Sequence, residues 1–185
     1  MELILTEGSA VLAERGYAAF STRELAKRIG YSIGTIYNVF GTHDRLILAI
    51  NTRTFRLWAD HLRARLDRSG GDRIRTLVEG YFSFARENPN LWMAIYDHRL
   101  PPDVTMPAEY EAERAELTEI VTREIGAILA GSGRGDAARL ARSLIATVHG
   151  HCTFALNGTF ALMGETDPLE LALARVRESL SPATH

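Results

Sequence analysis

The sequence predicts an all-α protein. Almost every segment between turn signals places apolar residues at helical spacing, and no segment sustains the alternation of apolar and polar residues that is typical of a strand. The chain has 185 residues, 46% of them hydrophobic, so it can bury a full core. We expect about nine helices, arranged as a small three-helix domain followed by a larger helical domain.

The first part of the chain predicts four helices. They cover about residues 3–15, 22–29, 33–40 and 43–66. Ser21 and Glu24 have the spacing of a capping box at the start of the second helix. Gly30 lies in the turn that follows, where Ser32 can cap the third helix. Thr42 can cap the fourth.

The remainder of the chain predicts five more helices. They cover about residues 73–87, a short helix from Pro89, a long helix to about 129, 136–163 and 168–180. Asn88 is expected to cap the short helix, because Pro89 suits a first helical position. We expect a proline-containing loop over 99–107 and a glycine-containing turn over 131–135.

The charge of the chain changes along its length. Residues 1–66 hold nine Lys or Arg and six Asp or Glu, whereas residues 67–185 hold twelve Lys or Arg and seventeen Asp or Glu. The whole chain therefore has a net charge of −2. This asymmetry fits a nucleic-acid-binding module joined to an acidic domain, and it also fits ordinary solvated helix faces. We place the first domain at residues 1–45, a linking helix at about 43–66 and the second domain at 46–185.

Several classes of protein are disfavoured by what the sequence lacks. No window approaches about 18 consecutive apolar residues and no secretion signal is present, so we expect a cytoplasmic protein. The lone Cys152 cannot form an internal disulfide, which fits that compartment. The chain contains no Gly-rich phosphate loop, Gly-x-Ser-x-Gly elbow, His-Glu-x-x-His helix or Glu-x-x-His pair. We therefore expect neither an enzyme nor a metal or cofactor site.

The helices over 22–29 and 33–40 have the arrangement of a helix-turn-helix. A three-residue turn joins them and a third helix precedes them, and in such a motif the second helix enters a DNA major groove. Short helix pairs with a glycine in the turn also occur in ordinary helical bundles. Spacing alone therefore leaves both interpretations open.

The residues of this motif carry a closer resemblance. Residues 21–40 read STRELAKRIGYSIGTIYNVF and continue into THDRL at 42–46. Over about residues 3–50 the chain closely resembles the TetR/AcrR family of transcriptional regulators. The most diagnostic part is Gly-Thr-Ile-Tyr-x-x-Phe, in which Ile36 and Phe40 pack inward while Tyr37 faces out.

This resemblance implies a set of DNA contacts. The candidate DNA-binding residues are Thr22, Arg23, Ser32, Ile33, Gly34, Thr35, Tyr37, Asn38 and His43. The family would place Ile33, Gly34, Thr35 and Asn38 toward bases, with Thr22, Tyr37 and His43 on phosphates. Asn38 can form two hydrogen bonds with adenine, and Gly34 allows a close approach of the backbone.

Two positions depart from the family pattern. His43 stands where a lysine is usual and Ile33 where a polar or basic residue is common, and both changes lower the electrostatic contribution to DNA binding. The chain also begins almost at its first helix, where many relatives carry a basic arm. The basic residues that remain as candidate phosphate partners are Arg23, Lys27, Arg28 and Arg45. They can equally be solvated surface charges.

The second domain resembles a particular branch of the family. Residues 88–92, Asn-Pro-Asn-Leu-Trp, and the pair His149-Gly150 are similar to the branch whose ligand domain is named for Trp, His and Gly. The resemblance implies a chamber for a small-molecule effector, and no cofactor. The candidate effector-binding residues are Tyr81, Phe82, Trp92, Met93, Tyr96, Leu117, Val121, His149 and Cys152. The aromatic residues of this set, together with the polar groups His149, His151 and Asn157 on the same apolar helix, predict a mainly apolar effector with a few polar anchors.

The resemblance also implies a homodimer formed through the last two helices. The helix over 136–163 carries apolar residues on more than one face, which a small monomer core cannot bury completely. We therefore expect a dimeric, ligand-responsive repressor that leaves a palindromic operator when its effector binds. The alternatives are a helical adaptor that kept the fold but lost DNA binding and, less favoured, a helical-bundle enzyme.

Overall fold

The computed structural model describes residues 1–102, 104–130 and 136–181, and these residues form ten α-helices and one short 3-10 helix. The helices are α1 (Glu2–Arg15), α2 (Thr22–Arg28), α3 (Ile33–Phe40), α4 (His43–Asp67), α5 (Arg73–Glu87), α6 (Pro89–Asp97), α7 (Ala108–Leu129), α8 (Ala137–Leu156), α9 (Thr159–Leu162) and α10 (Pro168–Leu180). The 3-10 helix covers Tyr17–Ala19. No strand occurs in the described residues, so the all-α prediction is confirmed.

The sequence prediction for 136–163 is wrong in one respect, because the structure divides this segment into α8 and α9. Gly158 takes a left-handed backbone, with φ of 78°, which ends the run of helical residues. The side chain of Asn157 then accepts a hydrogen bond from the Thr159 amide at 3.0 Å, which stabilises the new helix start. This break accounts for the tenth helix. The turn predicted over 131–135 lies outside the described residues.

The predicted helix starts are confirmed at three positions. The Ser21 hydroxyl accepts from the Glu24 amide at 3.3 Å, and Ser32 accepts from the Thr35 amide at 3.0 Å. Thr42 accepts from the Arg45 amide at 3.2 Å. Each bond satisfies an amide that the helix itself leaves without a partner.

The chain divides into two compact units. The first unit contains Met1–Leu57 and Glu87–Arg114, and the second contains Trp58–Arg86 and Ala115–His185. Helices α4 and α7 therefore contribute residues to both units, whereas α6 lies entirely in the first. Two segments of the predicted second domain, 46–57 and 87–114, thus pack in the first unit.

The core of the first unit is apolar and tightly packed. Buried side chains of α1, α2, α3 and α4 form it, together with Leu91 and Ala94 of α6. Two amide side chains attach α6 to this core. Asn51 donates to the Ala94 carbonyl at 3.0 Å, and Asn90 donates to the Ala13 carbonyl at 2.7 Å. Helix α6 is therefore fixed to both α1 and α4.

The core of the second unit contains a cluster of aromatic rings. Trp58 stacks on Phe84 with ring centroids 5.0 Å apart and meets Tyr81 edge-on at 4.7 Å. At the other end of this unit, Arg73 donates to Glu124 at 2.8 Å, and that carboxylate is almost fully buried. In the described part of the chain, no helix is long and apolar enough to span a membrane.

Candidate DNA interface and effector site

The turn between α2 and α3 has the geometry of a helix end. Gly30 has φ of 71°, and the Tyr31 amide donates to the Ala26 carbonyl at 2.9 Å. This pair of features is the Schellman motif, which needs a residue in the left-handed region at the position of Gly30. The turn is immediately followed by Ser32, the cap of α3. Four residues, 29–32, therefore join the two helices, which is within the three to four typical of a helix-turn-helix.

Helix α3 has one buried and one exposed face. Ile36 is fully buried and Phe40 nearly so, and both belong to the core of the first unit. Gly34, Thr35 and Asn38 are exposed, and so is Tyr37, with 37% of its surface accessible. The helix is therefore held by its apolar residues while its polar residues face solvent.

Two of the candidate base-contacting residues have additional contacts within the protein. Ile33 is only half exposed, because its side chain packs against the core of the first unit. The Thr35 hydroxyl lies 2.9 Å from the Ser32 hydroxyl, so a base would have to share or replace this hydrogen bond. Gly34 and Asn38 are exposed without such a contact among the described residues.

Thr22 and His43 form a contact that the sequence analysis did not predict. The Thr22 hydroxyl lies 3.0 Å from Nδ1 of His43, which joins the first residue of α2 to the first residue of α4. Thr22 is buried and His43 half buried, and the imidazole packs against Phe20 with ring centroids 5.8 Å apart. The Thr22 hydroxyl and the Phe20 ring thus hold the imidazole of His43 in place.

The basic residues of the motif fall into two groups. Arg28 donates to Glu7 and to Glu14, both at 2.8 Å, and so links α2 to α1. Arg23, Lys27 and Arg45 are exposed and form no ion pair within the described residues. These three cations are the ones available for phosphate oxygens.

The candidate effector-binding residues are divided between the two units. Trp92, Met93 and Tyr96 belong to the first unit, where Trp92 is buried and packs edge-on against Tyr96 at 5.5 Å. The other six candidates, Tyr81, Phe82, Leu117, Val121, His149 and Cys152, belong to the second unit. Phe82, Leu117 and Cys152 are buried there.

The second unit contains a small apolar cavity. Its volume is about 40 Å³, and α5, α7, α8 and α10 supply its walls. Two of the candidates, Tyr81 and Val121, line it. The full lining is Ile74, Leu77, Val78, Tyr81, Val121, Ile125, Leu144, Ile145, Val148 and Val176. This space admits a few water-sized groups, and its lining favours apolar ones.

Tyr81, which helps to line this cavity, also pairs with a polar residue outside the lining. The Tyr81 hydroxyl is 3.0 Å from Nδ1 of His149, whose Nε2 is 3.4 Å from the Thr153 hydroxyl. Burial lowers the pKa of His149, because the protonated imidazole loses its hydration. His149 is therefore neutral near pH 7. A neutral imidazole beside a phenol can both donate and accept a hydrogen bond.

Neither a reactive cysteine nor a metal site is found among the described residues. Burial raises the pKa of the Cys152 thiol to about 12, so this cysteine stays protonated and unreactive near neutral pH. No group of three or more His, Cys, Asp or Glu residues is placed to hold a metal ion within the described ranges.

Family comparisons match the two parts of the chain separately. Residues 4–50 match the bacterial regulatory proteins of the tetR family, and residues 74–177 match the tetracyclin repressor-like C-terminal domain. The chain belongs to the TetR family. The predicted resemblance to the Trp-His-Gly branch of TetR proteins is not confirmed by this match.

Individual relatives agree with this assignment. The HTH-type transcriptional repressor Rv3405c of Mycobacterium tuberculosis is 37% identical over 87 residues. That match covers 42% of this chain and 46% of the repressor, so it spans less than half of the relative.

Solved structures share the TetR fold along the whole chain. A protein from Rhodococcus sp. RHA1 has a TM-score of 0.77 at 22% identity, covering 97% of this chain and 92% of its own. The transcriptional regulator FadR from Bacillus subtilis, in complex with stearoyl-CoA, has a TM-score of 0.66 at 16% identity, covering 100% and 99%. At these identities the similarity establishes the fold alone.

Two residue pairs of the first unit have no signal in the sequence. Nε2 of His98, the residue after α6, lies 3.3 Å from the Asp44 carboxylate in the first turn of α4. Arg114 of α7 lies over the ring of Phe55 in α4 at 4.3 Å. No local pattern could have indicated these pairs, because their members are more than fifty positions apart in the sequence.

Proposed function

We propose that this protein is a ligand-responsive regulator of transcription that binds double-stranded operator DNA and represses the genes beside it. The observation that carries this proposal is the exposed face of α3. A capped, core-anchored helix presents Gly34, Thr35, Tyr37 and Asn38 to solvent, which is the chemistry needed to contact base edges and phosphates in a major groove. The site of action is the cytoplasm, where operator DNA is found.

The proposed repressor acts as a homodimer. We place its interface on α8 and α10, as the family resemblance implies, and continue it through α9, because apolar side chains of α8 and α9 are exposed in the single chain. Phe154 and Leu156 have 43% and 40% of their surface accessible, and Leu162 has 91%. An isologous contact would cover this surface in both subunits and place two α3 helices on one palindromic operator.

The proposed effector is a small, mainly apolar molecule. The cavity that Tyr81 helps to line supports this, because its lining is apolar. A volume of about 40 Å³ is far below the several hundred Å³ of ordinary ligand sites. We therefore infer that the effector binds a more open conformer of the second unit.

Release from DNA then follows from differential affinity. An effector that binds only the open conformer shifts the population toward it, by no more than the difference between its affinities for the two states. Helix α4 contributes residues to both units, so it is the covalent element through which such a shift reaches the DNA-binding residues.

The test is fluorescence-anisotropy titration of labelled DNA from upstream of the gene, with a scrambled duplex as the control. We expect selective binding, with two chains or a multiple of two per site. The affinity should fall steeply between about 50 and 200 mM salt, because the release of counterions from the phosphates is less favourable at higher salt. Absence of selective binding by the folded protein even at low salt would contradict the proposal. It would favour the adaptor alternative, for which the departures at Ile33 and His43 are the reason.

A further inference from the structure

The guanidinium of Arg114 lies over an aromatic ring. It belongs to the first unit, and its Cζ lies 4.3 Å from the centroid of the Phe55 ring. Its neighbour Glu113 pairs with Arg56 at 2.6 Å instead. Within the described residues no carboxylate lies at ion-pair distance from Arg114, although the side chain is partly withdrawn from water. Burial accordingly lowers the pKa of Arg114.

Other arginines of the chain show the contrast. Arg28 pairs with two carboxylates of α1, and Arg73 pairs with the buried Glu124. A partly buried cation without a counter-ion loses hydration that a stacked aromatic ring only partly replaces. Arg114 keeps its charge over the whole accessible pH range, so this cost is not relieved by losing a proton. A ligand that brings a negative charge would remove it.

The surroundings of Arg114 suit a ligand with an apolar body. Tyr96 of α6 is near enough to affect the pKa of Arg114, and 40% of its surface is accessible. Its ring packs against Trp92, and Met93 on the same helix is also exposed. The cation thus lies against an aromatic side chain of α4, and exposed apolar and aromatic side chains of α6 lie in the same unit.

We propose that Arg114, with Phe55 and Tyr96, binds the carboxylate group of a monoanionic aromatic or aliphatic acid. A guanidinium offers two parallel N–H donors that match the two oxygens of a carboxylate, and its single charge balances a single negative charge. The inference goes beyond the proposed function, on which it rests for its regulatory meaning. Arg114 belongs to the first unit, so it adds a second ligand site, for a carboxylic acid with an apolar body, to the cavity of the second unit.

The location of Arg114 connects this site to the DNA-binding residues within the first unit. The positive charge of Arg114 lowers the pKa of His98, which is bonded to Asp44. Asp44 follows His43 in the first turn of α4, and His43 is bonded to Thr22 of α2. A carboxylate on Arg114 would cancel the charge that acts on His98 and so strengthen its attraction to Asp44.

The test is calorimetric titration of the full chain with two matched pairs of probes, benzoate against benzyl alcohol and octanoate against octanol. We expect one carboxylate or both to bind saturably, with one molecule per chain. The affinity of the matched alcohol should be lower by about tenfold or more. Arg114→Gln should lose about tenfold in affinity for the carboxylate, and Arg114→Lys should lose part of that. The matched control is Arg142→Gln, an exposed arginine of α8, which should bind like the wild type.

A structural role for Arg114 makes a different prediction. If Arg114 serves only the fold, Arg114→Gln lowers the melting temperature and leaves carboxylate binding unchanged. Under our proposal its melting temperature stays the same or rises, because an unbalanced charge is removed, while binding is lost. In NMR titrations the bound carboxylate should raise the pKa of His98, and Arg114→Gln should raise it without ligand. Failure of both carboxylates to saturate, or equal binding of acid and alcohol, would overturn the proposal.

The outcome is separable from that of the proposed function. Selective operator binding without carboxylate binding overturns only the Arg114 site. Carboxylate binding that depends on Arg114, in a protein that does not bind operator DNA, keeps the site and overturns the repressor.

Discussion

Asn38 is the residue of α3 that can discriminate most directly between bases. Its amide can donate and accept at once, which matches the N6 and N7 groups of adenine, and its side chain is exposed. Tyr37 is exposed beside it, but a phenol suits a phosphate oxygen, which is the same at every base pair. Adjacent residues of one helix thus have different expected effects on specificity.

This difference gives a prediction at the residue scale. Asn38→Ala should cost about 1–3 kcal/mol at one position of each half-site and relax the base preference there. Tyr37→Phe should weaken binding to all sequences alike. Anisotropy titrations against operators with single base changes measure both effects. The exposed Val39 supplies the control, since Val39→Ala removes no hydrogen bond. An unchanged base preference in Asn38→Ala would mean that the register assigned to α3 is wrong.

The buried His98 and the half-buried His149 give a second prediction at this scale. Burial lowers the pKa of His98, against the opposing effect of Asp44, with His43 and Arg114 adding to the lowering. Burial alone lowers the pKa of His149, which contacts Tyr81 and Thr153. As pH falls below about 6.5 the unfolded imidazoles take up protons and the folded ones do not, so stability is complete above that pH and decreases below it.

The measurement is the melting temperature between pH 7.5 and about pH 5. We expect a decrease that His149→Gln makes shallower, because glutamine keeps a hydrogen-bonding group and does not titrate. The carboxylates of Glu124 and Asp72 affect stability in a separate, lower pH range. Their pKa values are lowered by hydrogen bonds, from Arg73 to Glu124 and from the Arg75 amide to Asp72, so their contribution is lost only as pH falls through about 4. A melting temperature constant down to pH 5 would contradict the assignment to the histidines.

At the scale of elements, the sequence predicted what depends on neighbours along the chain. Ser21, Ser32 and Thr42 each stand directly before a segment with helical spacing, where a hydroxyl can accept from the amide three residues later. Their positions along the chain were therefore sufficient to predict these caps. The inward positions of Ile36 and Phe40 follow from helical periodicity. The contact between Thr22 and His43 depends on how separate helices pack, and no local pattern encodes it.

The break between α8 and α9 is an instructive miss. The apolar spacing continues through Asn157 and Gly158, so periodicity predicts one helix, whereas the left-handed backbone of Gly158 ends it. The local signal was present, since Asn followed by Gly is common at helix ends. The apolar residues on both sides of Asn157 and Gly158 nevertheless favoured the prediction of one continuous helix.

This break gives a prediction at the element scale. Gly158→Ala should lower the free energy of unfolding by about 1 kcal/mol, because a side chain is strained at φ of 78° although the surrounding space is open. The matched control is Gly126→Ala in α7, whose new Cβ would lie 3.9 Å from that of Ala137. It should raise stability by about 0.5–1 kcal/mol, as helical Gly to Ala changes do. Urea unfolding measures both, and equal effects of the two substitutions would contradict the role of Gly158 in ending α8.

At the scale of the whole molecule, the exposed apolar side chains of the second unit carry the proposed dimer. Leu162 and Met163 have 91% and 67% of their surface accessible, and both follow the break at Gly158. Because they contribute almost nothing to the core of a single chain, their replacement should leave its folding nearly unchanged, within about 0.5 kcal/mol. A large effect of such a change on assembly would therefore report on the interface.

The prediction is that the double variant Leu162→Asp with Met163→Asp is a monomer where the wild type is a dimer. Two buried like charges facing their copies across a two-fold axis would repel and lose hydration. Sedimentation velocity measures the mass, and Ile128→Asp, a change on an exposed residue of α7, is the control that should remain dimeric. The monomer should also lose selective operator binding, because the two half-sites are then bound by independent chains and the effective concentration of the second α3 is lost. A double variant that stays dimeric would remove α9 from the interface, and a monomeric variant with undiminished operator affinity would show that one chain is sufficient for recognition.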